Sequence, residues 1–326
     1  MTEMRAALFD HYGPPDVMRM GSIPIPAVTP DTVLVKVHAV SVNGGELAGR
    51  AGKLRLVTGR TFPKVSGIDF AGEVAEVGSS VTSVSKGDRV WGLLGRKAGS
   101  MAEYVAVPPR QIAPAPKNLT LIQAISLLAG GTTAITALRE KAALRSGERL
   151  LVRGASGGVG SVAVQIGKLL GAHVVALAGV KNLDFVRGLG ADEVLDYRTT
   201  PLSQLGTFDV IIDTAGTEQS RFRSLLAPGG RMVAVTVDFN NPLASLATIL
   251  ASAVHGSGRI RVFSGNPDTE LLTEVTRYAE NGDIVPVVDT VHALDNIADA
   301  HRELEAGGVR GKHVIQIVPG DTKTAG

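Results

Sequence analysis

The sequence predicts an α/β protein, with an all-β first third followed by a doubly wound parallel sheet. Three observations carry this. The first third is made of short alternating apolar runs broken by Gly and Pro. From Arg149 onward, apolar strands alternate with helical stretches, and the first of those strands runs into a glycine-rich turn that opens a helix. In order, the early strands are Arg5 to Phe9, Val33 to Val40, Gly72 to Val77 and Glu103 to Val107. Pro108, Pro109, Pro114 and Pro116 crowd a connecting segment, after which the apolar period turns helical over Leu119 to Leu128 and Thr132 to Leu144. A domain boundary near residue 118 follows.

The later strands are Leu150 to Val152, His173 to Leu177, Glu193 to Leu195, Val210 to Ile212, Met232 to Val237 and Ile260 to Phe263. Helices between them supply the crossovers that parallel neighbours need. After Phe263 come a helix (Thr269 to Asn281), the segment Val285-Pro286-Val287-Val288, a helix (Leu294 to Glu305) and a strand (His313 to Val318). This tail is expected to rejoin the first domain, giving domains over 1–118, 119–263 and 264–326. Gly320 to Gly326 reads as a frayed end.

Composition bounds the function. Lys+Arg 33 against Asp+Glu 31 leaves no dominant field for nucleic acid. A count of zero cysteines removes disulfides, iron–sulfur clusters and thiolate zinc sites. No secretory pattern opens the chain, and the longest apolar stretch, Pro242 to Val254, is about half a bilayer span. The expectation is a cytoplasmic protein with no nucleic-acid or membrane partner.

Strand Leu150 to Arg153 leads into Gly154-Ala155-Ser156-Gly157-Gly158-Val159-Gly160 and a helix from Ser161. This is the strand–turn–helix context of a dinucleotide site: Gly157 lets backbone approach a pyrophosphate, Gly160 lets helix and strand close up, and the helix start offers N–H donors. The next strand ends in Gly179-Val180-Lys181-Asn182, with a cation and no acid where a carboxylate would hold an NAD ribose. Lys181 is either a ligand of a 2′-phosphate, making the cofactor NADPH, or a solvated lysine at a helix start.

Together these residues resemble the medium-chain dehydrogenase/reductase superfamily, within it the zinc-independent quinone oxidoreductase branch that includes zeta-crystallin. The likeness runs through Gly67-Ile68-Asp69, Gly87-Asp88-Arg89-Val90-Trp91, Ala102-Glu103-Tyr104, Thr133-Ala134, the 154–160 turn, Gly190-Ala191-Asp192, Asp196-Tyr197, Phe208 to Asp213, Gly229-Gly230 and Gly311-Lys312. The resemblance implies a GroES-like β-barrel catalytic domain plus a six-stranded Rossmann domain, and a homodimer through the strand at Arg259 to Phe263. Carried over by position, it implies that Ala155, Ser156, Gly157, Gly158, Val159 and Gly160 hold the pyrophosphate. Gly179, Lys181, Asn182 and Tyr197 would surround the 2′-phosphate. Thr214, Ala215, Gly216, Val235, Thr236, Phe263 and Ser264 would lie under the nicotinamide half, with Lys312 a further coenzyme contact. Thr133 would touch the carboxamide side, or is a helix N-terminal hydroxyl; Tyr197 is alternatively a buried core aromatic. Gly179 replaces the small hydroxyl common before the phosphate neighbour.

The zinc-dependent alcohol dehydrogenases of this superfamily carry a Gly-His-Glu motif and cysteine ligands, where this chain has Gly67-Ile68-Asp69 and no cysteine. Its seven histidines share no ligand-like spacing, so no metal site is expected. Hydride transfer to an electron-poor quinone or α,β-unsaturated carbonyl needs little beyond alignment. Asn43 matches the family's active-site asparagine, or is a turn residue before Gly44-Gly45. Glu46 stands where the family has aspartate and Ala48 where it has an aromatic, which suggests a wider pocket. Trp91 lines that pocket or is a half-buried barrel residue; Lys53, Arg55, Arg60 and Lys64 greet an anionic substrate or form a solvated loop. No dedicated acid stands out. An enoyl-thioester reductase and a non-enzymatic, NADPH-binding structural or nucleic-acid-interacting protein remain as alternatives.

Overall fold

The computed structural model describes residues 2–95, 98–239, 241–254, 258–265 and 267–318; the expected frayed end and His255 lie outside them. Two compact units emerge, Met1–Ala129 with Asn266–Gly326, and Gly130–Gly265.

In chain order the first unit contributes β1 (Glu3–Phe9), β2 (Arg19–Pro24), β3 (Val33–Ser41), α1 (Gly44–Arg50), α2 (Arg55–Thr58), β4 (Lys64–Val65), β5 (Asp69–Val77), β6 (Arg89–Leu93), β7 (Tyr104–Val107) and β8 (Ile112–Pro114). Helix α3 (Leu121–Ile135) connects onward. The second unit holds β9 (Arg149–Arg153), α4 (Gly160–Leu169), β10 (His173–Ala178), α5 (Leu183–Gly188), β11 (Glu193–Asp196), β12 (Phe208–Asp213), α6 (Gln219–Arg223), β13 (Leu226–Ala234), α7 (Pro242–Val254) and β14 (Ile260–Val262). The tail adds α8 (Thr269–Asn281), β15 (Val288–Ala293), α9 (Ile297–Ala306) and β16 (Lys312–Gln316).

Among the described residues, the first unit has one sheet ordered β15-β16-β3-β5-β6-β8, with β7 also on β3, and a second ordered β2-β1-β4. An isolated bridge, Ala6 to Ala102, links the two near the start of β7. Strand β3 is the spine: eight of its nine residues are buried, and β-branched side chains suit a strand covered on both faces. Its partners span the chain, because β16 pairs with it antiparallel through Val314 and Ser41 while β5 pairs through Ala39 and Ala71. The tail therefore completes the first unit, as expected. Arg50, 1% exposed, ties α1 to α9 by an ion pair with Glu305 and by donating to His301 Nδ1. Burial, aided by the Arg50 charge, holds the His301 imidazole down at about 4, so it stays neutral and can accept that bond.

The second unit is a parallel sheet of order β11-β10-β9-β12-β13-β14, with every neighbouring pair in parallel register. Such a sheet is buried on both faces, and Leu150, Leu151 and Val152 of β9 are 0% exposed.

Several expectations need correction. The boundary expected at 118 falls at the approach to α3, whereas the division between the units lies within that helix, after Ala129. The two helices expected on either side of Gly130-Gly131 are one: α3 continues into a π-helical turn over Thr136–Lys141. Gly130 is needed not to break the helix but to let it close on the glycine-rich turn, since a Cβ there would lie 2.2 Å from the Gly158 carbonyl oxygen. The combined run Leu121–Lys141, 21 residues, is by length and composition able to cross a bilayer, exceeding the stretch expected to be longest; 78% of its most apolar window is buried inside the fold, as in a core helix. Strand β15 was not foreseen, because Asp289 and Thr290 interrupt its apolar pattern.

Candidate active site

Two groups of residues deserve a chemical reading, one in each unit. In the second unit, β9 delivers the chain to Gly154, which adopts φ +72° with Thr214 Oγ1 2.4 Å from where its Cβ would be. A Cβ on Gly160 would lie 2.1 Å from the Gly154 carbonyl oxygen, so this glycine permits the close helix–strand contact read from the sequence. At Gly157 an added Cβ would meet only ordinary contact, 3.5 Å from that same oxygen. The fold therefore does not require glycine at 157.

The turn's amides divide into two sets. Those of Ala155 and Gly157 donate to Leu177 O and Gly154 O, which removes them as donors to a ligand. Among the described residues, no such bond is made by the amides of Ser156, Gly158 and Val159. First-turn helix amides lack intrahelical partners, so this set fits an anion. Ala155 is 0% exposed and supports the turn from beneath.

At the end of β10, Gly179 precedes a turn carrying the exposed Lys181 and the buried Asn182. The Tyr197 ring lies beside Gly179, 3.6 Å from the position of an added Cβ. Tyr197 is 53% exposed, which corrects its reading as a core aromatic. Arg198 Nε donates to the Tyr197 hydroxyl at 3.2 Å, placing a second cation at this edge that sequence reasoning missed; the adjacent Asp196-Tyr197 was the available signal.

At the end of β12, Asp213 is fully buried and paired with Arg153 at 2.8 Å. Its Oδ1 accepts the Ala215 and Gly216 amides, and its Oδ2 accepts from Gln219. The segment Thr214-Ala215-Gly216 is thus fixed by a carboxylate, and the Thr214 hydroxyl is committed to Arg153 O. Val235 donates its amide to Asp213 O just past β13, and Gln219 holds Thr236 O. Phe263 and Ser264 follow directly on β14. Thr133 lies inside α3, which rules out its reading as an N-terminal hydroxyl; it shares a face with Gly130, which abuts Gly158.

The first unit gathers a buried polar cluster from residues far apart in sequence. Ser41, at the end of β3, donates its amide (2.7 Å) and its hydroxyl to Asp69 at the start of β5. Asn43 stands at the N-cap position of α1 but makes no side-chain capping bond. Its Nδ2 instead lies 2.9 Å from Glu46 Oε1 and 3.2 Å from Asp69 Oδ2, and its Oδ1 accepts from Lys312 Nζ. This engagement decides against Asn43 as a mere turn residue. Lys312, expected among the coenzyme contacts, is a member of this cluster.

All three ionisable members are buried: Asp69 is 0% exposed, Lys312 5% and Glu46 7%. Burial pushes the Glu46 carboxyl up to about 8, helped by the Asp69 charge and opposed by Asn43 and Lys312. Burial likewise raises Asp69 against the pull of Lys312 and Ser41, and lowers Lys312 against the pull of both carboxylates. Burial thus acts on all three groups in one sense, favouring the neutral form of each. Sequence reasoning named Asn43 and noted Glu46 as a departure, but found no acid.

Other expected positions resolve differently. Trp91 is 0% exposed in the core rather than half-buried or lining an open pocket. Ala48 is buried on the inner face of α1 with Glu46 and Arg50. Two of the seven histidines, read as dispersed, come together: His292 and His313 lie with Glu303.

The family described as alcohol dehydrogenase GroES-like domain matches residues 29–117, and that described as zinc-binding dehydrogenase matches 189–315. Over 98% of its length the chain is 34% identical to 2-methylene-furan-3-one reductase of Solanum lycopersicum, covering 80% of that protein. It is 34% identical over 97% of its length to the chloroplastic NADPH-dependent alkenal/one oxidoreductase of Arabidopsis thaliana, again covering 80%. The quinone oxidoreductase structure from Coxiella burnetii superposes with a TM-score of 0.88 at 30% identity, covering 97% of this chain and all of that one.

The chain belongs to the medium-chain dehydrogenase/reductase superfamily, in its quinone oxidoreductase branch. It is an oxidoreductase with a GroES-like domain and a Rossmann-type sheet, and the family implies a nicotinamide coenzyme. The second unit fits that coenzyme: the uncommitted amides of Ser156, Gly158 and Val159 suit a diphosphate, and Gly157 leaves room for it where a Cβ would stand. A catalytic zinc, which one family description implies, does not fit the donor set. Cysteine is absent, Ile68 stands beside Asp69, and Asp69 is already served by Ser41, Asn43 and the Lys312 charge.

Proposed function

We propose that this oxidoreductase uses NADPH to reduce the carbon–carbon double bond of α,β-unsaturated carbonyl compounds, with quinones as secondary acceptors. The observation that carries this reading is the buried ammonium of Lys312 donating to Asn43 beside two buried carboxylates. When bound, the coenzyme supplies a hydride. Reducing an enone then leaves negative charge on the carbonyl oxygen and demands one proton. The ammonium, which has protons beyond the one it gives to Asn43, is a donor suited to that oxygen, and Glu46, protonated into the neutral range, is suited to replenish the proton. Lys181 and Arg198 give the β10–β11 edge two cations, which supports NADPH over NADH. Strand β14 is the outer strand of its sheet and Val262 is 47% exposed, which supports the homodimer expected through Arg259 to Phe263.

The test is NADPH consumption across alkenals, alkenones and quinones, with NADH alongside. Alkenones are expected to be the best acceptors. Arg198→Ala is expected to weaken NADPH by about ten- to a hundredfold while leaving NADH unchanged, as loss of a charged hydrogen bond implies. Absence of turnover with every conjugated carbonyl, or equal losses for both coenzymes, overturns the reading.

A further inference from the structure

On the opposite face of the strand that carries Lys312, the structure assembles a second group of side chains that the reaction does not use. Parallel pairing of β15 with β16 sets Thr290 against His313 and His292 against Ile315, so the two histidines are diagonal neighbours on one face. Their ring centroids are 5.4 Å apart. Helix α9 packs over both strands and brings Glu303, whose Oε2 is 3.3 Å from His292 Nε2 and 3.7 Å from His313 Nδ1. One ligand atom from each of the three lies within 4.8 Å of the others.

Two details mark this as more than a salt bridge. Among the described residues, neither ring nitrogen of His313, 2% exposed, has a hydrogen-bond partner, and Nε2 of His292, 8% exposed, has none either. Buried ring nitrogens without partners are uncommon and costly. The register shift in β15 between Val288 and Thr290 inserts Asp289, whose Oδ2 lies 3.8 Å from His313 Nε2. A bulge re-aims a side chain in this way, and a carboxylate behind the far nitrogen of a histidine fixes the tautomer that turns the other nitrogen to a metal.

We propose that His292, Glu303 and His313 bind a divalent transition-metal ion of the zinc class, with Asp289 orienting His313. Two neutral imidazoles and a carboxylate are a borderline donor set that suits Zn²⁺ and Co²⁺ better than Ca²⁺ or Mg²⁺. The two acidic side chains balance the charge of the ion. Such an ion clamps α9 to the β15–β16 pair, and its role is structural, since Lys312 and His313 project to opposite faces of β16.

Full-length protein stripped with a chelator and desalted is titrated with CoCl₂, following the visible absorption of protein-bound Co²⁺, and metal content is measured after loading with Zn²⁺. One ion per chain is expected, together with a rise in Tm on adding Zn²⁺. Glu303→Gln changes a side chain that is 50% exposed and preserves the fold; it is expected to weaken Co²⁺ binding by at least about tenfold and to abolish the Tm rise. His292→Gln is expected to do the same. Absence of Co²⁺ uptake by the wild type, or binding by both variants with wild-type affinity, overturns the proposal.

Discussion

The coenzyme edge of the second unit and the polar cluster of the first are built from opposite materials. Around residues 154–160 the working groups are backbone amides, placed by a local strand–turn–helix and made accessible by missing Cβ atoms. Around Asn43 the working groups are side chains, delivered by β3, α1, β5 and β16 from positions 41 to 312. The first arrangement tolerates many sequences provided the glycines stay; the second depends on each side chain having its partner. The contrast predicts different failures when each is damaged.

The largest effect is expected in the cluster. Lys312→Met removes the ammonium while leaving Asp69 and Glu46 buried. Turnover should fall by about a hundredfold or more, the range for loss of a general acid, while NADPH affinity is unchanged. The protein should also lose roughly 3 kcal/mol of stability, because a buried charge left without its partner is costly. Adding Asp69→Asn should restore part of the stability and none of the activity. If Lys312→Met weakens NADPH but retains turnover, the lysine is a coenzyme contact, as its sequence position first suggested.

At the coenzyme edge, two alanines separate fold from function. Gly160→Ala forces a Cβ to within 2.1 Å of backbone oxygen and should cost about 1 to 3 kcal/mol in stability, lowering coenzyme binding with it. Gly157→Ala meets only ordinary contact and should leave the Tm within a degree or two, yet weaken NADPH by at least about tenfold by blocking the diphosphate. Equal Tm losses for the two variants would erase the distinction between a glycine the fold needs and one the ligand needs.

The same division explains what could be read without a structure. The strand–turn–helix at 149–169 was legible because its signal is local: a turn with four glycines, an apolar strand and a helical period within one short segment. The parallel order followed from alternation of strands and helices. The two-cation edge was only half legible, since Lys181 marks the end of β10 but Arg198 becomes its companion only once β11 is paired alongside. Within the cluster, Asn43 could be found from its motif. Asp69 was visible only as a replaced metal-ligand position and Ser41 not at all, because their meeting is a property of the β3–β5 ladder. Lys312 was not linked to this cluster for the same reason: a residue near the chain end acquires its neighbours through β16 joining β3. His292 and His313 looked unrelated until β15, a strand with little apolar signal, paired beside β16.

The smallest effect concerns pH. Burial followed by the Asp69 charge raises the Glu46 carboxyl from its ordinary 4.5 to about 8 in the native protein. Between those values the native state holds a proton that the unfolded chain has released, so this group's contribution is fully present below 4.5 and is lost as pH climbs through about 8. Lys312 has the opposite sign: its proton affinity is depressed by burial, so the unfolded chain binds the extra proton and stability from that group rises with pH toward 10.5. Glu46→Gln removes the first contribution and retains the lysine. Its Tm should therefore exceed that of the wild type at mildly alkaline pH by a few degrees, with the gap closing as pH falls toward 5. Thermal melts across this range decide the matter. Parallel Tm–pH curves for the two proteins would mean that Glu46 is ionised throughout, and the proton for the enone would then have to come from Lys312 alone.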